Sequence, residues 1–240
     1  MFQKSLFFVL ISILLTAFAS SAFRADVRDE KSLSPEADRI SNAIEVIKEM
    51  VEIPEEGIPE ALLSKAYGIA IIPKVIKAAW VVGGRYGKGV LLVRKETGQW
   101  SQPCFIRIAG GSVGWQIGVQ SADIILVFKR RKSIDSITEG KITLGADASV
   151  AAGPVGRRAE ASTDIELEAE IFSYSKSRGL FAGISIEGAA IQIDQNANAN
   201  FYRRDSVRPQ DILFGEKQLR APAVAEKLRM ILTEYTTTYL

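Results

Sequence analysis

The chain has 240 residues, 47% of them hydrophobic, with 30 basic and 28 acidic side chains, the composition of a folded protein and not of a disordered one. It holds no histidine and a single cysteine, Cys104. Those absences exclude Ser-His-Asp and Cys-His catalysis, histidine general bases, nearly every zinc site and any disulfide within the chain, because each needs an imidazole or more than one thiolate.

Residues 1–22 read as an export signal: Lys4 is a thin basic n-region, Leu6 to Phe18 is an apolar run, and small residues at 17–19 or 20–22 suit cleavage. The expected mature chain begins near Ala22 or Phe23 and is periplasmic or secreted. A retained anchor is the alternative, but the run is short of the roughly 20 apolar residues that span a bilayer. Ser34-Pro35-Glu36 then opens a helix, with Ser as N-cap, Pro at the first helical position and an acid at the positive end of the dipole. Ile40, Ile44, Ile47 and Val51 follow at helical spacing. Pro54 ends this helix, and Pro59 opens a second one over Glu60 to Tyr67, closed by Gly68.

From Gly68 to Gly188 lie 17 of the 19 glycines, between short apolar or alternating runs. Strands are expected at 69–72, 79–82, 90–94, 105–109, 115–120, 124–129, 142–152, 162–174 and 180–193. In the fifth run Trp115, Ile117 and Val119 share one side and Gln116 and Gln120 the other, the pattern of a half-buried antiparallel strand. Glycines at 83–84, 87/89 and 110–111 suit turns, bulges or close sheet packing. Ser133 to Glu139 reads as a short helix, as do Asn196 to Arg204 and Asp211 to Phe214. Ala221-Pro222 opens a final helix carrying Val224, Leu228 and Ile231. The expected fold is one α+β domain over 23–240, its core at about 55–240, with a curved antiparallel sheet or partial barrel and helices at both ends.

Charge is segregated along the chain. Residues 23–60 are net −6, residues 61–132 carry 12 basic and 2 acidic side chains, residues 133–172 are net −5, and residues 173–240 are net +2. Trp80, Trp100 and Trp115 all fall in the basic block. Tryptophan suits an oil–water boundary, and Lys and Arg are drawn to anionic head groups at about 1 kcal/mol each. The same pairing suits single-stranded nucleic acid, which export argues against. The simpler alternative buries the tryptophans and solvates the charges.

Within this block Gly83-Gly84-Arg85-Tyr86-Gly87-Lys88-Gly89 could cradle a phosphate, with Arg85 and Lys88 as cations, or make a hairpin turn. It is not a Walker motif, since glycine stands where Ser or Thr must follow the lysine. Lys129-Arg130-Arg131-Lys132 is a run of mutually repelling cations at the end of an apolar strand, either a solvated strand end or a place where an anion arrives. The acids of Asp164 to Glu170 share one strand face and are expected to pair with a basic neighbouring strand. Asp194 to Asp205 has oxygen-bearing residues in a calcium-loop rhythm but Ala199 where that loop needs glycine, so a cap-rich turn is the simpler reading and no metal is expected. Ser173, Ser175 and Lys176 offer a Ser-Lys pair with no identifiable oxyanion partner, so no enzyme and no cofactor are expected.

The run from Phe172 to Gly188, FSYSKSRGLFAGISIEG, closely resembles the signature of the SYLF family, also called the Ysc84-type family. The likeness extends to Ala66 to Pro73, Gly89 to Arg94 with Trp100-Ser101, Asp123 to Phe128, Gly145 to Gly156 and Asn200 to Tyr202. The resemblance implies a non-enzymatic module: eukaryotic members bind phosphoinositides, and some yeast members bind actin. Behind an export signal, what it implies is peripheral binding to anionic phospholipid, with Lys176 and Arg178 at the head group and Phe181 at the acyl chain, or a tight turn with Phe181 in the core. Lys129, Arg130, Arg131, Lys132, Arg85 and Lys88 complete the candidate lipid surface. The alternative is an interaction or scaffold module for a protein partner in the envelope.

Overall fold

The computed structural model describes residues 34–53, 57–79, 82–113, 118–155, 169–177, 179–215 and 219–237. The expected export signal, Trp80, Trp115, Arg178 and residues 164–168 of the acidic stripe lie outside them. Helix α1 (Pro35–Val51) begins at the expected Ser-Pro boundary, with Glu36 and Asp38 in its first turn and Lys48 in its last, each sign favourable to the helix dipole. It buries Ile40, Ala43, Ile44, Ile47 and Met50. A short α2 (Glu60–Ser64) follows.

Nine strands come next in the chain: β1 (Gly68–Ala79), β2 (Val82–Val93), β3 (Cys104–Val113), β4 (Gly118–Phe128), β5 (Lys141–Thr143), β6 (Val150–Ala152), β7 (Ile171–Ser177), β8 (Leu180–Gly183) and β9 (Ala189–Ile193). They form one curled half-barrel sheet in the order β5-β9-β3-β2-β1-β4-β7-β6, with β8 paired to β7. Every pairing is antiparallel except β6 with β7. Helix α3 (Arg131–Glu139) links β4 to β5, and α4 (Gln195–Tyr202), α5 (Pro209–Leu213) and α6 (Ala223–Thr237) follow the last strand. The α+β class, the curved sheet and the helices at both ends are as expected.

The two faces of the sheet are covered differently. Phe105, opposite Val90, meets the Phe201 ring of α4 edge-on at 5.0 Å and the Arg39 guanidinium of α1 at 5.2 Å. On the other face, Ile106 opposes Gly89, and Ile134 of α3 approaches Gly68. Apolar side chains are therefore buried on both sides of the central strands.

Several expectations change. No separate strand stands at 79–82, since β1 runs on to Ala79 and β2 begins at Val82. The glycine run 83–89 is neither a turn nor a phosphate loop, since it lies inside β2. A Cβ at Gly87 would stand 2.7 Å from Val75 Cγ2, and one at Gly89 2.3 Å from the Ile71 carbonyl, so these glycines let β2 press against β1 where β1 bulges. The bulge is held by Asp123, whose carboxylate accepts the N–H of Lys74 at 2.8 Å while Lys74 sits at φ 52°. The single strand expected at 142–152 is two, β5 and β6, because the chain turns through Gly145 at φ 86°. The run 180–193 likewise divides into β8 and β9, with Gly188 at φ 76° before β9. Of the two readings of the tryptophans, Trp100 takes the core one: it is buried, and its indole N–H donates to Thr236 Oγ1 of α6 at 3.2 Å.

Candidate functional site

The strand registers spread the expected lipid-contacting residues along the length of the sheet. β1 runs from Gly68, level with Val93 and Phe128, to Ala79, level with Gly83 and Gly118. The tetrad Lys129 to Lys132 follows Phe128 at the first end. Arg85, level with Lys77, is at the second, up to about 30 Å away along the strand. Lys88, opposite Arg107, and Lys176, opposite Asp123 and Phe181, lie at mid-strand between the two ends.

Toward the second end the start of α1 still flanks the sheet: Pro35, Asp38, Arg39 and Asn42 line a pocket of about 420 Å³ with Lys74, Ile76, Tyr86 and Lys88. Five large apolar side chains are exposed among the described residues, and Ile76, Tyr86, Val119 and Leu180 are here, leaving only Met230 elsewhere. Ile76 is opposite Tyr86 and Ser121, and Ala78 is opposite Gly84 and Val119. Period-two alternation puts these residues on one face. Val119, expected to point inward, is 71% exposed. One rung further back on the same face, Lys88 opposes Arg107, Arg107 opposes Gln192, and Gln192 opposes Lys141. An apolar tip is therefore backed by a cationic row about 7 Å behind it, two residues along each strand.

The remaining expected residues are more constrained. Arg85, on the opposite face beside Lys77, is half-buried; its Nε has no hydrogen-bond partner among the described residues, and burial lowers its pKa. Lys176 Nζ reaches Glu49 Oε2 at 2.9 Å and ties β7 to α1. Phe181 stacks on Tyr174 with ring centroids 5.6 Å apart and planes 5° from parallel. The Tyr174 hydroxyl donates to the Pro154 carbonyl at 3.0 Å, and burial pushes its pKa well up. Tyr174 and Phe181 of the signature segment thus pack on each other, and Ser173 Oγ is spent on the Ala151 and Ile184 carbonyls, which removes it from any Ser-Lys pair.

At the first end the tetrad straddles the β4–α3 junction. Lys129 Nζ lies 5.7 Å from the centroid of Phe172. Arg130 reaches Glu170 at 4.0 Å, and Glu170 also accepts from Ser133 Oγ at 2.8 Å, the one part of the acidic stripe that is described. Arg131 pairs with Asp135 at 3.4 Å and lies 4.8 Å from the Phe214 ring. Lys132 is exposed. No acid stands in the first turn of α3, so Arg131 and Lys132 add to the positive end of its dipole. Beside them opens a cleft of about 940 Å³ lined by Lys65, Arg94, Lys95, Lys129 and Arg131, with Glu96 its only carboxylate among the described residues. Arg94 caps α2 by donating to the Ser64 and Leu63 carbonyls and lies 5.2 Å from the Trp100 ring. Lys95 donates to the Gly215 carbonyl at 2.9 Å.

The asparagine-rich turn is structural. Asp194 caps α4 through the Ala197 N–H and pairs with Arg39 at 3.2 Å. Asn198 is fully buried, takes the Phe105 N–H on Oδ1 at 2.8 Å and returns Nδ2–H to the Phe105 carbonyl at 3.2 Å. Sequence reasoning missed Ile76, Arg107 and Lys141 at one end and Lys65 and Lys95 at the other. Only cross-strand register and chain folding bring these residues to their neighbours, and no local pattern announces that.

These features define a class: an α+β half-barrel domain that displays cations at both ends of its strands. Residues 109–235 match the Ysc84 family, described as Las17-binding protein actin regulator. The chain is 38% identical over 203 residues to SH3 domain-containing YSC84-like protein 1 of Homo sapiens, covering 82% of this chain and 58% of that protein. It is 40% identical over 181 residues to Protein YSC84 of Saccharomyces cerevisiae, covering 74% of this chain and 38% of that one. LAS seventeen-binding protein 3 of the same yeast is 38% identical over 188 residues, 77% of this chain and 40% of that protein. The chain belongs to the Ysc84 (SYLF) family, and spans little more than half the length of these relatives, or less.

Proposed function

We propose that the chain is a non-enzymatic module that docks peripherally on anionic phospholipid, tip first, through the exposed end of β1 to β4. The observation that carries this reading is the gathering of Ile76, Tyr86 and Val119 on one sheet face, with Lys88 and Arg107 one rung behind. Apolar side chains that enter the head-group and acyl boundary by about 5–10 Å bring a cationic row about 7 Å behind them level with the phosphates. No described helix is long and apolar enough to cross a membrane, and this reading requires none.

Co-sedimentation with phosphatidylcholine vesicles, with and without phosphatidylserine, tests the proposal. Binding should rise with phosphatidylserine and fall with salt. Lys88→Ser with Arg107→Ser should weaken it by about 2 kcal/mol, roughly thirtyfold, at about 1 kcal/mol per cation. Equal binding to both vesicles, or full binding by the double variant, refutes it. A second reading, recognition of a protein partner, is favoured by the relatives described as Las17-binding. Retention of a polypeptide by lipid-free protein, together with failure to bind either vesicle, would select it.

A further inference from the structure

We infer that the cleft at the opposite end of the strands is a second binding site, for a soluble anion carrying several phosphate groups. Its cations come from three separate segments: Lys65 after α2, Arg94 and Lys95 after β2, and Lys129 and Arg131 around the start of α3. Against them stand Glu96 in the lining and Asp135 just behind it, which pairs with Arg131 at 3.4 Å. Two of the cations donate to neutral carbonyls, Arg94 to Ser64 and Leu63 and Lys95 to Gly215, so their positive charge is held in place without being cancelled. A guanidinium and an ammonium so anchored lose little side-chain freedom when a ligand arrives, which favours affinity.

The volume, about 940 Å³, is at the large end of small-molecule sites and far exceeds the needs of one phosphate. Cations spread over three segments also call for more than one anionic group on the ligand. Tyr67 also lines the cleft, and burial raises its pKa, so its hydroxyl stays protonated near neutrality. Phosphate groups suit the cleft because each can carry more than one negative charge, with Arg for forked contacts to its oxygens and Lys as a point charge. The source is soluble: with the tip of β1 to β4 on a membrane, this cleft lies at the far end of the strands, facing the aqueous phase. The location rests on the docking reading; the binding site itself does not.

The test is isothermal titration of the full chain with sodium tripolyphosphate, beside vesicle co-sedimentation of the same proteins. Wild type should bind tripolyphosphate, and added salt should weaken that binding. Lys65→Glu with Arg131→Glu should weaken it at least about tenfold, the scale of losing two charge-assisted contacts, and leave vesicle binding unchanged. Lys88→Ser with Arg107→Ser should do the reverse. Absence of tripolyphosphate binding by wild type, or its persistence in the cleft variant while circular dichroism shows both proteins folded, would overturn the site. Loss of vesicle binding in the cleft variant would overturn its assignment to a soluble ligand. Failure of wild type to bind vesicles, with tripolyphosphate binding intact, would refute the docking reading alone.

Discussion

Replacing Asn198 by alanine should destabilise the protein strongly and to the same extent with or without calcium. Beyond Ile106 opposite Ile193 the Asp194 N–H still donates to the Phe105 carbonyl at 2.9 Å, and the Asn198 side-chain amide completes that rung, accepting the Phe105 N–H at 2.8 Å and adding a second donation to the carbonyl at 3.2 Å. Nδ2 also donates to the Asp194 carbonyl at 3.1 Å. Phe105 and Asn198 are both fully buried, so water does not replace the amide. The orphaned Phe105 N–H costs about 1–3 kcal/mol, and the lost donations and the small void add to that, for a total of about 3–4 kcal/mol. In a domain of this size that is a fall in Tm of roughly 10 °C. Thermal unfolding followed by circular dichroism, in chelator and again in millimolar calcium, measures it. A loss below about 1 kcal/mol would refute the ladder argument, and a loss seen only with calcium would restore the metal-loop reading of Asp194 to Asp205.

Two further outcomes follow from close packing. Gly89→Ala places a Cβ 2.3 Å from the Ile71 carbonyl and 2.8 Å from Ile72 Cα, both backbone, and should cost at least about 1–3 kcal/mol. Gly111→Ala, with nothing within 4 Å, should change stability by no more than about 0.5 kcal/mol; denaturant melts of equal effect would contradict the packing account. Burial pushes the Cys104 thiol up to about 12, against a weak opposing contact from Asn198 at 3.7 Å. At pH 8 the folded protein should therefore react with a chromogenic disulfide reagent far more slowly than the unfolded chain; rapid stoichiometric labelling in native buffer would show that the thiol is accessible.

What was readable in the sequence was what local chemistry decides. The Ser34-Pro35 boundary of α1 and the apolar stripe of Ile40, Ile44 and Ile47 follow from capping and helical period, and the structure has both. The alternation of short strands gave the curved sheet. The glycines of β2 misled because their reason is non-local: Gly87 and Gly89 are small to admit the bulge of β1, and a sequence shows glycine without showing what approaches it. Trp100 left two readings open for a related reason, since an amphipathic side chain suits a lipid boundary equally well as a core with a partner, and its partner Thr236 lies 136 residues away. The cationic block was visible as a count, but its division between two ends is set by register. Lys88 and the tetrad belong to the same basic block, yet one lies on the tip face and the other where β4 gives way to α3.

The central claim is that the tip of β1 to β4 enters the anionic interface while the tetrad end does not. An environment-sensitive fluorophore on Val119→Cys, compared with the same label on Lys132→Cys, tests it directly, because buried Cys104 contributes little background. Addition of phosphatidylserine vesicles should shift the emission to the blue at position 119 and leave position 132 unchanged. A blue shift at 132 with none at 119 would contradict the account.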